Sequence, residues 1–142
     1  MVKNPISESA KARLVITTDT LSPNYISSSL EIEPSQVWLR GDVVHPKATN
    51  VHKENGWVIS ATSDGDELFV ERTVDRLIKL LPKEKLVAFC RKNQGSIDVE
   101  LSLIIHLSQS GSVPSVALNP NQIRFLADCH GSFDIDIYKG SA

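Results

Sequence analysis

The chain is poor in the residues that carry most ready-made chemistry. Its 142 residues hold two cysteines, one methionine, two tryptophans, two tyrosines and four phenylalanines. Cys90 and Cys129 lie far apart and in no C-x-x-C arrangement, which argues against a zinc knuckle or a redox dithiol and makes a disulfide an unexpected feature. An aromatic content of 6% leaves few platforms on which the bases of a single strand could stack. A formal charge of −2 and a pI near 6.1 supply no single-sign field, so nucleic acid is not expected as a partner. No apolar run approaches the roughly 20 residues that cross a bilayer. Asn4, Ser7, Glu8 and Ser9 interrupt the stretch where a secretory leader needs an apolar core. Phosphate-loop, dinucleotide-binding, zincin and serine-hydrolase motifs are all missing. The expectation is a cytoplasmic protein with reduced thiols and no cofactor, forming one domain over residues 1–142, with 1–11 as a loose polar arm.

What is present is a strong alternation. Ile97, Val99, Leu101, Leu103, Ile105 and Leu107 fall at every second position, with Asp98, Glu100 and Ser102 between them. That period predicts a long strand over residues 96–107, buried on one face, in the middle of an antiparallel sheet. Its polar face changes to Ile104 and His106 at the far end, which predicts cover there by a loop or a second subunit.

The remaining elements are read around that strand. Residues 12–18 are β-branched and predict a strand. Ser22 as N-cap, Pro23 in the first turn and a Leu21–Ile26 staple start a short helix that Pro34 stops. Residues 39–55, with Gly41 and Pro46, show neither period and predict a long irregular loop, the best candidate for a working surface. Residues 56–62 predict a strand with Trp57, Ile59 and Ala61 on one face, ended by a turn at 63–66. Val70, Val74, Leu77, Ile78 and Leu81 form the stripe of a helix over 67–81, ended by Pro82. The apolar run 86–90 predicts a strand joined to the central one by a hairpin at 92–95. Residues 113–118 suggest a brief strand. Asn119, Pro120 and Gln122 repeat the earlier helix start with a capping box and a Leu118–Ile123 staple; Gly131 then fits a helix C-cap, and 132–138 alternates again. The two Leu-x-Pro-Asn-x-Ile copies are compatible with an old duplication and equally with two independently well-capped helices. The order β-α-β-α-β-β-(β)-α-β predicts an α+β two-layer sandwich, a mainly antiparallel (mixed) sheet with its helices on one face.

Candidate chemistry is thin. His45 and His52 lie in the loop with only Asp42 and Glu54 to help, too few ligands for a usual zinc site, so no metal is expected. His106 belongs to the polar side of the central strand and reads as solvated. Cys129-His130 followed by Asp134 and Asp136 has the residue types of a cysteine nucleophile, but neighbours at a helix end project in different directions and an inward-packed thiol fits better. Asp134 and Asp136 share one strand face, as paired carboxylates do and as plain alternation also produces. Trp38 and Trp57 flank the loop, either as an aromatic wall for a ligand or as core anchors.

The run Ser22-Pro23, Leu30-Glu31-Ile32-Glu33-Pro34-Ser35, Trp38, Gly41-Asp42 and Gly56-Trp57-Val58-Ile59-Ser60 resembles the bacterial family called domain of unknown function 4279. Phe125-Leu126-Ala127 and residues 133–138 are similar to that family's ending, while Cys129-His130-Gly131 departs from the leucine–glycine–alanine-like turn expected there. The resemblance implies an α/β protein and no catalytic residue. Two functions are compatible with these observations. The preferred one is a small non-catalytic protein-binding or inhibitory domain of the immunity type, monomer or homodimer, whose partner is a toxin or another protein. The alternative is an enzyme or small-ligand binder with its site beside the loop. The first would use residues 39–55 and exposed strand edges, the second a site beside Trp38, Trp57 and the loop histidines; the candidate contact residues are Trp38, Arg40, Asp42, His45, His52 and Trp57.

Overall fold

Ala10, Ala12, Leu14 and Ile16 point to one side of an extended segment and Lys11, Arg13 and Thr17 to the other, and this segment is the middle of the sheet. The computed structural model describes residues 8–64 and 70–140. The elements run β1 (Ser9–Thr18), α1 (Pro23–Leu30), β2 (Gln36–Trp38), β3 (Asn55–Asp64), α2 (Val70–Leu80), α3 (Lys83–Lys92), β4 (Asp98–Leu107), α4 (Pro120–Asp128) and β5 (Ser132–Lys139). The five strands form one sheet in the order β2-β3-β1-β4-β5. All pairings are antiparallel except β4 with β5, which are parallel and joined through α4. The expected α+β architecture with a mixed sheet is therefore present. The alternating strand is β4, though it lies one place from the edge and β1 takes the centre.

The predicted inner face of β4 is the one that is buried. Val99, Leu101, Leu103, Ile105 and Leu107 join Leu14, Ile16, Trp57 and Ile59 in a single core with Ile26, Val74, Leu77, Leu86, Phe89 and Phe125 from all four helices. Burying each of these large side chains contributes about 2 kcal/mol. The helices thus cover one face of the sheet and leave the other bare. On that bare face burial peaks at Ser102 in mid-strand, and His106 at the far end is exposed and stacked on Tyr138 with ring centroids 5.3 Å apart. Ile104 at that end is half-buried, and the Tyr138 ring lies against His106.

Several local expectations are corrected. Residues 86–90 are helical: Leu86, Phe89 and Cys90 are buried at helical spacing, with Lys83, Glu84, Lys85, Arg91 and Lys92 supplying the wet face and Glu84 and Arg91 matching the helix dipole. Five apolar residues fit either period, and the charged flanks lengthen the element beyond a strand. The predicted hairpin at 92–95 is instead a helix exit through Asn93 and a positive-φ Gly95. Residues 113–118 form no strand, although Val116 and Leu118 pack on the core. β1 begins at Ser9, inside the stretch 1–11 expected as a polar arm; residues 1–7 lie outside the described residues, as do residues 65 and 66 of the predicted 63–66 turn and the start of the 67–81 helix. Ser63 itself continues β3.

Both predicted helix starts are found. The Ser22 hydroxyl accepts from the Tyr25 amide at 3.1 Å, and Asn119 and Gln122 make a reciprocal capping box with both bonds at 2.9 Å. Gln122 is buried and also donates to the Glu71 carbonyl and the Asp75 carboxylate, clamping α4 to α2. Its neighbour Ile123 is exposed, so no staple forms with Leu118. At the end of α4 the glycine expectation is off by one. His130 adopts the left-handed conformation (φ 56°), its amide reaching the Ala127 carbonyl while the Gly131 amide reaches Leu126, the paired bonds of a Schellman motif. Gly131 is needed for space, because a Cβ there would overlap the Leu126 side chain.

Candidate functional site

Residues 39–54 form no helix or strand; they are a hydrogen-bonded arm between β2 and β3, with two turns and one isolated bridge. Trp38 faces Gly56, and Val43, five residues further out, faces Val51, five residues before Gly56, so the arm keeps the register of the ladder at its base. A turn at 39–42 carries Gly41 at φ 94°, which a side chain would resist, and the Asp42 amide donates to the Leu39 carbonyl at 2.9 Å. The Gly41 amide donates to the His52 carbonyl and the His52 amide to the Asp42 carbonyl, the pattern of a glycine β-bulge. The tip is a second turn, His45-Pro46-Lys47-Ala48, closed by the Ala48 amide on the His45 carbonyl at 2.8 Å with Pro46 in the position that proline favours. The bulge and the two turns hide the period of two from a reading of the sequence.

The arm is fixed at its root. The Trp38 indole lies across Gly56, where any Cβ would overlap it, and stacks on the His52 ring at 4.5 Å between centroids and 15° between planes. Asn55 accepts from the Arg40 amide at 2.8 Å and donates to the Leu21 carbonyl at 2.9 Å, tying the arm to the start of α1.

The six sequence-selected residues are spread over different roles. Trp57 is fully buried (0% exposed) on the helix side, its indole N–H donating to the Ser27 hydroxyl, so it is a core anchor. Trp38, opposite Gly56, is on the other face, and the two tryptophans form no common wall. The Asp42 carboxylate accepts from the Leu39 amide and the His45 Nδ1 from the Lys47 amide, so both side chains shape the turns. His52 is stacked, and Arg40 is exposed. What the sequence reading passed over is the apolar character of the arm. Leu39, Val43, Val44 and Val51 are all exposed, Val43 by 55%, and none joins the core. The signal available was a valine pair and a third valine flanking a proline turn.

Two clefts lie elsewhere. A cleft of about 470 Å³ opens on the bare face of the sheet beside the α4–β5 turn, lined by Val15, Thr17, Asp98, Glu100, His130 and Ser132 among others. A second, of about 340 Å³, lies between α1 and α3 against Tyr25, Lys85 and Phe89. Neither is lined by Trp38, Arg40, His45 or His52. The bare face carries acidic tension. Partial burial, then Asp134, and to a lesser degree Asp136, raise the Glu100 carboxyl above its ordinary value, with Arg13 opposing. Glu54 is raised by burial and by Asp19 and Asp98. No group of three or more histidine, cysteine, aspartate or glutamate side chains among the described residues is placed to hold a metal ion. Cys90 and Cys129, distant in sequence, are buried free thiols hydrogen-bonded to each other where α3 meets the end of α4; that contact lowers Cys90 and, with burial, pushes Cys129 far up. Cys129 is thus the inward-packed thiol expected, with no activating environment.

No helix among the described residues is long and apolar enough to cross a membrane. No curated protein and no solved structure matches the chain. A family model does, over residues 8–140, and it spans β1 to β5, the arm and the four helices together: the chain belongs to the family described as Domain of unknown function (DUF4279).

Proposed function

We propose that this protein is a non-catalytic protein-binding domain, of the inhibitory or immunity type, that grips its partner through the arm at residues 39–54. One observation carries the reading. Leu39, Val43, Val44 and Val51 present apolar side chains to solvent on a backbone held by its own hydrogen bonds, and the core gains nothing from them. A rigid, exposed apolar ribbon loses little entropy on docking, which favours recognition of a protein surface. The polar side chains of the arm support this, since Asp42 and His45 are spent on turn geometry and are not turned toward a common point.

The test is the triple variant Val43→Ser, Val44→Ser, Val51→Ser, compared with the parent in affinity capture from the native host. The variant should melt with the parent, because these side chains lie outside the core, and should lose the partner that the parent retains. For the inhibitory reading, the captured protein should arrest growth when expressed alone and be neutralised by the parent and not by the triple variant. Equal capture by both proteins, or no partner for either, would overturn the proposal.

A further inference from the structure

The opposite edge of the sheet has features that the arm does not explain. β5 is an edge strand of eight residues, paired only with β4 among the described residues, and every one of its residues is exposed. On the helix side it carries Phe133, Ile135 and Ile137, opposite the buried Leu101, Leu103 and Ile105 of β4. The helices that cover β4 stop short of them, leaving 38%, 36% and 42% of their surfaces open. On the bare side the strand shows Asp134 and Asp136, next to Glu100 of β4. It has no proline, and its one lysine is at the last position, so the charges inside the strand are those of Asp134 and Asp136.

We infer that the β5 edge is a second docking surface, which takes up an extended segment of a partner protein alternating apolar and basic residues as a sixth strand. The added backbone would complete the ladder. Its apolar side chains would extend the stripe of Phe133, Ile135 and Ile137, and its lysines or arginines would face Asp134 and Asp136. Charge selects this occupant over a second copy of the chain. Two copies of β5 meeting about a two-fold axis run antiparallel. The registers centred on the strand that keep the apolar residues on the helix side set Asp134 opposite Asp136, or one aspartate opposite its own copy, on the other side, where facing like charges destabilise a pair. The same carboxylates therefore keep the edge from pairing with itself and attract a basic strand. This surface is independent of the arm, which lies beyond the β2–β3 edge.

The probe is a capped heptapeptide of alternating valine and lysine, with a valine–glutamate peptide of the same length as control, each titrated into the full-length isotope-labelled protein at low salt. The basic peptide should bind saturably, with amide shifts confined to residues 132–139 and their β4 neighbours. The acidic peptide should not bind. Asp134→Asn with Asp136→Asn, at exposed positions whose neutralisation relieves Glu100 and so should leave the melting temperature at or slightly above the parent's at pH 7, should weaken binding roughly five- to thirtyfold, the loss of two exposed ion pairs. Shifts mapping to residues 39–54, equal binding of the two peptides, or no binding would overturn the inference. So would concentration-dependent shifts in β5 without peptide, which would assign the edge to a second copy.

Discussion

Gly56→Ala probes how the arm is held. Gly56 lies on the bare face of β3 directly under the Trp38 indole, and a methyl group there would occupy the space of the ring, so the indole has to swing away. Two contributions are then lost. The Trp38–His52 stack is worth about 0.5–1.5 kcal/mol, and uncovering part of the half-buried indole costs about 1 kcal/mol more. Alanine restores about 0.4–1 kcal/mol by restricting the unfolded chain. The net is about 1–1.5 kcal/mol, roughly a tenfold rise in the opening constant of the arm. Because residues 39–54 supply nothing to the core, the opening is local. The amides of Gly41, Val44 and His52, which donate to His52, Asn50 and Asp42, should exchange about tenfold faster by native-state hydrogen exchange, while those of β1 keep their protection. Fluorescence should shift to the red through Trp38 alone, since Trp57 stays buried. If the arm amides kept their protection while the whole protein melted earlier, Trp38 would not be the clamp and Gly56 would be required by the sheet itself.

Other positions test the frame. Leu101→Asp, placing a charge on the buried face of β4, should cost more than about 3 kcal/mol and abolish the cooperative melt, whereas a parent-like melt would mean that the faces are misassigned. Glu100→Gln, one residue away, should melt at or slightly above the parent at pH 7. The Glu100 carboxyl is raised above 4.5 chiefly by burial and by Asp134, so its contribution is fully present below that value and is lost as pH rises through the folded pKa. The gain should vanish near pH 4, and a loss at pH 7 would refute the repulsion. His130→Gly should raise the urea midpoint by the equivalent of about 0.5–1 kcal/mol, since glycine accepts φ 56° freely. Gly131→Ala should lower it by about 1–3 kcal/mol through overlap with Leu126, and shifts of the same sign in both variants would contradict the Schellman assignment.

Much of the fold was legible because its signals are local. The period of two in β4 has no competing explanation, and the caps at Ser22 and Asn119 are short-range chemistry that tertiary contacts did not override. The misread elements are those whose identity depends on neighbours. The Leu86–Cys90 run fits strand and helix equally until its burial at 86, 89 and 90 is known. At the end of α4 the left-handed position falls on His130 while Gly131 is held by the closeness of Leu126, a division of roles that only the packed neighbour reveals. The Cys90–Cys129 contact joins two elements whose distance no spacing rule measures. At residues 39–55 the histidines, tryptophans and charges stand out in the sequence, whereas the exposure of Leu39, Val43, Val44 and Val51 does not, because two turns and a glycine bulge interrupt the alternation there.

The helix side is filled, with apolar side chains from four helices closing on β1, β3 and β4. The middle of the bare side is Val15, Val58 and Ser102, buried among their neighbours, and the cleft beside the α4–β5 turn opens at one end of it. Toward the edges the chemistry changes in opposite senses. β2 is only three residues long, and its continuation folds back on itself, so the backbone bonds of the arm are largely spent internally and its side chains remain to bind. β5 is eight residues long and leaves one side of its backbone unpaired among the described residues, so main-chain bonding is what it offers, filtered by its aspartates. The two proposals therefore call for different partner segments, one read by shape at the arm and one by hydrogen bonding and charge at the edge, and the filled layer between them holds the two surfaces at a fixed separation.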